Sequence, residues 1–553
     1  MHHRARVVAL LAATTIVPAA CAPRPAGSRA EPGYAESAGA AARYRNPIIH
    51  ADYSDPDVIR VGDDFWMTAS SFGSVPALPI LHSRDLVHWR IVNHAIPRMP
   101  PEFDVPQHGN GVWAPSIRHH DGQFWIYWGD PDRGIYMVKT RDPLGAWEPP
   151  VLVHAAKGWI DPTPLWDDDG EAYLVHAFAR SRAGIKHRLV VNRMSADGTR
   201  LLDEGTLVFM DSAAHPTAEG PKFHKRDGWY WILAPAGGVA TGWQLAMRSR
   251  SPLGPYEARV VLAQGSTAVN GPHQGAWVEL KGAEHWFVHF QDAGAYGRIV
   301  HLQPMTWRDG WPVIGDDADG DGTGQPVAEH PMPDVGRAYP PVAPQTSDEF
   351  DGPRLGLQWQ WAGNPRPDWY TLTAQRGMLT LRPQPLPAAT TNLWVVPNLL
   401  LQKLPARAFT AMTRVASTTG LAVGEQAGIV MLGRDYAYVA LRHTATGYEI
   451  VQARVMDAEA DAAAEASVVV ASVDPPIHLR VTVSDGALCQ FAWSADGIRY
   501  TPIGAPFTAR EGRWIGAKVG LFATRPAHSR TGGAADFDFF HVTTGSDSLA
   551  ASR

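Results

Sequence analysis

One pattern recurs five times between residues 55 and 291, and it constrains the fold of this chain more than any other feature. Each copy begins with a polar or aromatic residue, continues as a short strand-like run, turns eight residues after its first residue, and ends in a run dense in Trp, Tyr, Phe and Val. The copies are DPDVIRVGDDFWMTAS from Asp55, WAPSIRHHDGQFWIYWG from Trp113, DPTPLWDDDGEAYLVHAF from Asp161, EGPKFHKRDGWYWILAPA from Glu219 and HQGAWVELKGAEHWFVHFQ from His273. Repeated strand pairs joined by turns are typical of radial or stacked β architectures.

Five copies at a spacing of about 50 residues predict a five-bladed β-propeller. Equivalent positions of the blades lie at the same radius and height in a propeller, so the five leading residues should meet around one axis. Three carboxyl groups, an indole and an imidazole are therefore expected in one pocket, contributed by Asp55, Trp113, Asp161, Glu219 and His273.

The N-terminal segment predicts export from the cytoplasm. Residues 1–21 combine a basic start, the apolar run VVALLAATTIVP and a small-residue zone that ends at Cys21, which together are typical of a secretory signal. Cys21 stands where a lipoprotein signal carries its lipidated cysteine, but Pro18 occupies a position that is usually aliphatic, so a lipid anchor and ordinary cleavage both stay open. The mature protein is expected to be secreted, periplasmic or on the outer surface, with no membrane span.

The remaining chain divides by composition. Residues 22–45, rich in Ala, Gly, Pro and Ser, predict a flexible tether, residues 46–330 the propeller, and the proline-rich residues 331–346 a linker. Short β-rich runs at about ten-residue spacing predict an antiparallel β-sandwich over residues 347–544, followed by a tail at 545–553. The predicted fold class is all-β, a five-bladed propeller followed by a β-sandwich.

Charge and cysteine content exclude several classes of protein. The formal net charge is −6 and the sequence has no basic block, which argues against nucleic acid or an anionic membrane as a partner. Cys489 is the only cysteine beyond the signal, so an intrachain disulfide framework is excluded.

The three acidic leading residues suit hydrolysis of a glycosidic bond. That reaction needs one carboxylic acid to protonate the departing oxygen and one carboxylate to activate water or attack carbon. Asp55, Asp161 and Glu219 offer one carboxyl more, and a neighbouring negative charge helps an acid to keep its proton near neutral pH. Acidic residues before Pro or Gly are also common turn formers. Their equivalent position in three blades favours catalysis, with the longer Glu219 side chain as the natural acid.

Five segments resemble a known family: NPIIHADYSDPDVIRVGDDFWMTASSF, WAPSIRHHDGQFWIYW, GWIDPTPLWDDDGEAYLVHAF, AEGPKFHKRDGWYWIL and GRIVHLQPMTWRDGWPV. They look like glycoside hydrolase family 43, whose members are β-xylosidases and α-L-arabinofuranosidases. The similarity covers nearly the whole chain after the signal, because the family often carries a C-terminal jelly-roll, concanavalin-like sandwich that opens with a segment similar to SDEFDGPRLGLQWQW.

The resemblance implies roles for the three acids. The family's first-blade Asp is the general base, its third-blade Asp orients and tunes the acid, and its fourth-blade Glu is the general acid. By motif these are Asp55, Asp161 and Glu219. The family inverts anomeric configuration, so a water molecule is expected between Asp55 and the sugar, with Glu219 on the opposite side.

The resemblance also implies binding residues. His273 is similar to a histidine beside an ion or water in the family's central channel, and a structural Ca²⁺ there is expected to be held mainly through waters, because imidazole is an unusual Ca²⁺ ligand. No cofactor is otherwise expected. Arg298 resembles an arginine near the sugar pocket, with a structural salt bridge as the alternative, and Phe72 and Trp113 are expected to form walls of the sugar subsite or to belong only to the core.

A second metal hypothesis concerns the segment DADGDG, which begins at Asp317. It looks like the start of an EF-hand loop, but Ala328 stands where that loop needs its bidentate Glu, so a solvated turn is favoured.

The expected activity is removal of terminal α-L-arabinofuranosyl residues from plant polysaccharides or oligosaccharides. The fifth-blade segment HQGAW differs from the flank of this histidine in many β-xylosidases of the family, which favours the arabinofuranosidase. A β-xylosidase is the alternative, and a non-catalytic glycan-binding propeller is a third hypothesis from another class. The partner is in each case an arabinose- or xylose-containing glycan. The sandwich is expected to be either a carbohydrate-binding module or a cap over the pocket.

Overall fold

The computed structural model describes residues 42–387, 392–416, 420–460, 465–529 and 532–545. The predicted signal, most of the predicted tether and most of the tail lie outside these residues, and so does Cys21. No helix in the described part is long and apolar enough to cross a membrane.

The fold is nearly all β, as predicted. The described ranges contain one short α-helix, α1 (Arg180–Ala183), and three 3₁₀ turns, at Pro101–Asp104, Gly294–Tyr296 and Leu393–Val395. Strand β1 (Arg43–Arg45) precedes the propeller, which consists of five antiparallel four-stranded sheets.

Each blade uses four strands that follow one another in the chain and in the sheet. Blade 1 contains β2 (Asp57–Val61), β3 (Asp64–Thr68), β4 (Ala77–Ser83) and β5 (Arg90–Ile96). Blade 2 contains β6 (Trp113–His120), β7 (Gln123–Asp130), β8 (Gly134–Thr140) and β9 (Val151–Ala155). Blade 3 contains β10 (Trp159–Trp166), β11 (Ala172–Phe178), β12 (Arg188–Met194) and β13 (Thr206–Met210). Blade 4 contains β14 (Lys222–Arg226), β15 (Trp229–Ala236), β16 (Trp243–Ser249) and β17 (Glu257–Leu262). Blade 5 contains β18 (His273–Glu279), β19 (His285–Asp292), β20 (Arg298–Arg308) and β21 (Trp311–Ile314).

The ring is closed by contacts between the first and fifth blades. Strand β2 contacts β18, and the backbone of Ile49 pairs with that of Val300 in β20. The side chain of Asn46 donates to Leu302 O at 2.7 Å and accepts from Leu302 N at 2.8 Å. Every blade is one continuous stretch of sequence, so the ring is closed by contacts between blades and not by a sheet shared between the two ends of the propeller. The hydrogen bonds of Asn46 hold the N-terminal segment against the last blade.

The described residues include a strand before the predicted boundary at residue 46. Strand β1 lies within the predicted tether and pairs with β22 (Glu329–Pro331). The tether prediction is wrong for these three residues because composition alone gave no weight to Tyr44, which is buried, donates to Leu302 O at 2.8 Å and packs edge-on against Trp286.

The C-terminal part is a β-sandwich, as predicted. Its strands are β23 (Gln360–Trp361), β24 (Tyr370–Thr371), β25 (Leu379–Leu381), β26 (Gln384–Pro385), β27 (Leu400–Lys403), β28 (Phe409–Ala416), β29 (Gln426–Leu432), β30 (Tyr436–Thr444), β31 (Gly447–Val455), β32 (Ala466–Val473), β33 (Ile477–Ser484), β34 (Leu488–Ser494), β35 (Thr501–Thr508), β36 (Lys518–Arg525) and β37 (Ala535–Thr544). One sheet has the order β23-β27-β36-β29-β30-β31-β32 with β26 beside β36, and the other β24-β25-β37-β28-β33-β34-β35. All pairs are antiparallel except β26 with β36.

The propeller and the sandwich share a core. Tyr296 and Ile299 of blade 5 belong to the apolar cluster that fills the sandwich. The Tyr296 hydroxyl donates to Arg407 O at 2.7 Å and accepts from Ala487 N at 2.8 Å. Backbone pairing between Val75 and Trp361 joins the two parts at a second place. The described chain from Arg43 onward is accordingly one compact unit.

Candidate active site

A repeated backbone irregularity lies at the start of each innermost strand. In blades 1 and 3 the leading residue itself has positive φ, 55° at Asp55 and 57° at Asp161. In the other three blades the following residue has it, with 31° at Ala114, 57° at Gly220 and 39° at Gln274. Non-glycine residues rarely adopt this conformation, and it is concentrated at functional sites. All five blades therefore deform the chain at the place where their leading residues approach the axis.

Four of the five leading residues, those of blades 1 to 4, line one cavity of about 260 Å³. Six of the seven predicted site residues line it, namely Asp55, Asp161, Glu219, Phe72, Trp113 and Arg298. Gln274, Thr217, Val239 and Trp514 contribute further lining. This volume is large enough for a single sugar ring, so the pocket can take the terminal residue of a glycan.

Asp55 is buried and held by donors. Its Oδ2 accepts hydrogen bonds from Ser54 Oγ at 2.8 Å and Ser70 Oγ at 2.5 Å. Nη1 of Arg298 lies 3.2 Å from Asp55 Oδ1 and donates to Ser54 Oγ at 2.6 Å. Arg298 therefore lines the pocket and pairs with Asp55 at once, so the two predicted alternatives for this arginine are both present. Ser54 and Ser70 were not predicted, although Ser54 adjoins the motif.

Asp161 lies beside the fourth-blade glutamate. Its Oδ2 accepts a hydrogen bond from Gly220 N at 2.8 Å, which fixes it next to Glu219. Burial raises the pKa of Asp161 well above its usual range, and the charges of Glu219 and Asp55 raise it further, against the opposing effects of the Gly220 N–H and Lys222. Glu219 is the most accessible of the three acids, with 26% of its side chain exposed. The two carboxyls thus form a pair that favours holding a proton.

A buried cationic layer lies next to the three acids and escaped sequence reasoning. Lys222 is 1% exposed, donates to Pro115 O at 2.8 Å and lies 4.0 Å from Asp57 Oδ1. Asp57 Oδ2 accepts from Arg118 Nη1 and from Ile117 N, each at 2.7 Å. The positive charge of Lys222 lowers the pKa of Asp161 and partly offsets its burial. No sequence signal distinguishes Lys222 from the other basic residues of strand β14.

His273 does not line the pocket, in contrast to the expectation for a leading residue. It is fully buried, with Nε2 3.5 Å from Glu219 Oε1, and Nδ1 has no hydrogen-bond partner among the residues that the structure describes. The side chain begins at the innermost strand but packs against Phe290 and Gly242, which leaves it below the floor.

The surroundings of His273 do not offer a direct ligand set for Ca²⁺. One imidazole and one carboxylate fall far short of the six to eight oxygens that the ion takes. Among the described residues, the one group of three potential ligands is Asp317, Asp319 and Asp321, a partly exposed turn remote in sequence. A Ca²⁺ held through waters near His273 stays a prediction.

Aromatic side chains form the walls. Phe72 is buried and meets the Trp113 ring edge-on at 6.2 Å between centroids. Trp514, which belongs to the sandwich, meets the other side of Trp113 at 6.3 Å and keeps 48% of its surface exposed. The sequence left open whether the sandwich is a carbohydrate-binding module or a cap over the pocket. The position of Trp514, in the loop before β36, matches the cap. Trp514 escaped prediction because only the folded chain brings it to the first blades.

We expect Trp514→Ala to weaken binding of the sugar or its leaving group. Loss of one aromatic wall contact corresponds to about a five- to tenfold loss in kcat/KM, carried mainly by KM. Steady-state kinetics on an aryl glycoside measures this, with Ile498→Ala, an exposed apolar residue of the same domain, as the control. Equal kinetics for the two variants would contradict a role of the sandwich in the pocket.

The pocket of this propeller brings together a carboxylate held by hydrogen-bond donors, Asp55, a second carboxyl whose pKa is raised, Asp161, and the partly exposed Glu219, which is the arrangement of a glycoside hydrolase. Residues 44–312 match the model of glycosyl hydrolases family 43, and residues 347–543 match that of the β-xylosidase C-terminal concanavalin A-like domain. The chain belongs to glycosyl hydrolase family 43.

Relatives with assigned names extend over most of the chain. A putative β-xylosidase of Xylanibacter ruminicola is 40% identical over 87% of this chain and 86% of its own length. A non-reducing end α-L-arabinofuranosidase of Bacteroides ovatus is 30% identical over 71% of this chain and 74% of its own. A solved structure described as a bifunctional GH43-CE protein of Bacteroides eggerthii has a TM-score of 0.78 and 25% identity, and the match covers 91% of this chain and 64% of that longer one.

Proposed function

We propose that this family 43 enzyme is an exo-acting, inverting glycosidase that removes a terminal β-D-xylosyl residue from xylan-derived oligosaccharides. The observation that carries the exo mode is the small volume of the pocket, about 260 Å³, with Trp514 as one of its walls. The xyloside preference is supported by the 40% identical relative named a putative β-xylosidase. The segment HQGAW favours an arabinofuranosidase instead, so that activity is kept as the alternative.

An α-L-arabinofuranosidase is the second candidate, and the 30% identical relative from Bacteroides ovatus favours it. Both sugars are pentoses of similar size, and a pocket of about 260 Å³ admits either. The substrate is in both cases a xylose- or arabinose-containing glycan.

Asp55 acts as the general base in this proposal. Ser54 and Ser70 donate to its Oδ2 and Arg298 donates to its Oδ1, so the carboxylate is held in place at the pocket. A water molecule between Asp55 and the anomeric carbon loses its proton to Asp55 as the carbon–oxygen bond forms. The partly exposed Glu219 gives its proton to the departing oxygen as the bond between that oxygen and the anomeric carbon breaks.

Asp161 is a positioning residue in this scheme. The Gly220 N–H ties it to the residue that follows Glu219, which aims the acid. Its buried carboxyl also opposes loss of the last proton from the Asp161–Glu219 pair.

A pair of aryl glycosides tests the substrate. We expect faster turnover of 4-nitrophenyl β-D-xylopyranoside than of 4-nitrophenyl α-L-arabinofuranoside by the purified full chain. The reverse order establishes the second candidate instead. Binding of oligosaccharide with hydrolysis of neither substrate would indicate a glycan-binding propeller, which the family assignment argues against.

We expect Asp161→Asn to move the alkaline limit of kcat/KM to lower pH. Activity requires a proton on the Asp161–Glu219 pair and is lost as the pH rises through the apparent pKa of that pair. Each carboxylate charge opposes deprotonation of the other, whichever of them holds the proton, so removing one charge lets the remaining proton leave at lower pH. A pH–rate profile measures the limit. An unchanged alkaline limb would contradict this role.

We further propose export, with lipidation at Cys21 as the feature to test. Labelling of cells with an alkyne-bearing fatty acid should mark the wild-type chain and not Cys21→Ala. An unlabelled wild type with a processed N-terminus would indicate ordinary cleavage.

A further inference from the structure

A second buried carboxylate lies three residues before the base and outside the pocket lining. Asp52 is 3% exposed, and each of its oxygens accepts a backbone N–H from a different part of the fold. Oδ1 accepts from Arg298 N at 2.9 Å, and Oδ2 accepts from Gly516 N at 3.0 Å. One carboxylate therefore joins the first blade, the fifth blade and the sandwich.

Both of its partners lead into the pocket. Arg298 donates its guanidinium toward Asp55 at 3.2 Å, so the N–H held by Asp52 belongs to the residue that contacts the base. Gly516 lies two residues after Trp514, in the segment between β35 and β36 that carries this wall of the pocket. Asp52 consequently holds the backbone of one pocket residue, Arg298, and the backbone two residues from another, Trp514.

The segments joined by Asp52 approach so closely that only glycine fits. A Cβ at Gly516 would lie 2.7 Å from Gly297 N, and a Cβ at Gly297 would lie 2.5 Å from Asp52 Cγ. Next to this contact, Ala517 N donates to Ala295 O at 2.7 Å. The loop that carries Trp514 thus docks backbone to backbone on the turn that precedes Arg298, with Asp52 between them.

Two lysines of the sandwich, the partly buried Lys403 and the buried Lys518, lie near Asp52. Lys403 and Lys518 both feel the charge of Asp52, and Lys518 donates to Ser74 Oγ at 2.5 Å. Replacement of Asp52 by a neutral residue removes a negative charge near both lysines as well as a hydrogen-bond acceptor. A control variant must therefore separate loss of stability from loss of coupling.

We propose that Asp52 is a positioning residue that couples docking of the Trp514 loop to placement of Arg298 beside Asp55. The sandwich then completes the active site rather than only covering it. The kinetic test of this inference rests on the proposed function, whereas the test by limited proteolysis does not depend on activity.

A double-mutant cycle on the full chain tests the coupling. Asparagine keeps the size of Asp52 but offers one acceptor oxygen for two N–H groups, so Asp52→Asn should lower kcat/KM for the preferred aryl glycoside about tenfold or more. In a Trp514→Ala background the same change should cost clearly less, because part of its effect already acts through Trp514. An equal cost in both backgrounds would overturn the proposal.

The matched control is Asp85→Asn. Asp85 is equally buried in blade 1 and also accepts two backbone N–H groups, from Val87 at 3.0 Å and His88 at 2.8 Å, but within its own turn. Asp85→Asn should lower thermal stability, but its effect on kcat/KM should be the same in the wild-type and Trp514→Ala backgrounds. Coupling of the same size in the control would show a general effect of stability and overturn the assignment.

Limited proteolysis gives a readout that needs no activity. The exposed Arg513 adjoins Trp514, and trypsin should cut after it faster in Asp52→Asn and in Gly516→Ala than in the wild type or in Asp85→Asn. The second variant opens the same contact from the sandwich side by steric conflict. Cleavage rates at Arg513 that match the wild type in both variants would overturn the coupling, even if the chain hydrolysed neither glycoside and the proposed function failed.

Discussion

Asp55→Ala is expected to lose activity on every substrate, whatever its leaving group. Attack by water is needed in each case, and Asp55 is the carboxylate that Ser54, Ser70 and Arg298 hold at the pocket. General base catalysis contributes about 10²- to 10⁴-fold, so kcat should fall by that factor for good and poor leaving groups alike. Steady-state kinetics on a series of aryl glycosides and on an oligosaccharide measures it.

The control for this variant is Asp63→Asn, an exposed carboxylate in the first turn of the same blade. It should keep wild-type kinetics. Near wild-type activity of Asp55→Ala on any substrate, with its thermal unfolding unchanged, would exclude Asp55 as the base.

Glu219→Ala should instead divide substrates by their leaving group. A dinitrophenolate leaves without a proton, so its glycoside should retain most of the wild-type kcat. An oligosaccharide leaves as an alkoxide that needs the proton from Glu219, and its hydrolysis should fall by about 10²- to 10⁴-fold. The measurement is the dependence of log kcat on leaving-group pKa, which should be far steeper in the variant.

Glu204→Ala, an exposed glutamate in blade 3, serves as the control for the acid. It should reproduce the wild-type slope. An equal loss for all leaving groups in Glu219→Ala would exclude Glu219 as the general acid.

The repeat explains why the acids were predictable. Asp55, Asp161 and Glu219 hold equivalent positions in their copies, and the propeller turns equivalence in sequence into proximity in space. Their pocket could therefore be expected before any coordinate was known. His273 obeys the same repeat but lies below the floor, since repetition fixes where a strand begins and not how its first side chain packs.

Residues that act across blades or domains carried no such signal. Trp514 lines the pocket and Gly516 contacts Asp52 in a fold in which Tyr296 and Ile299 of the fifth blade pack into the core of the sandwich. Lys222 and Asp52 are single charges whose importance depends on burial, which composition does not reveal. The strand Arg43–Arg45 was missed for a related reason, because its partner Glu329–Pro331 is almost 300 residues away.

The anomer released first tests the central claim most directly. If Asp55 activates a water molecule opposite the leaving group held by Glu219, each bond cleavage inverts the anomeric carbon in a single displacement. Proton NMR during the first minutes of hydrolysis of an aryl β-D-xyloside should therefore show α-xylose before mutarotation supplies the β anomer. With an arabinofuranoside as the faster substrate, the β anomer should appear first. Initial release of the anomer that matches the substrate would contradict the assignment of Asp55 as a base.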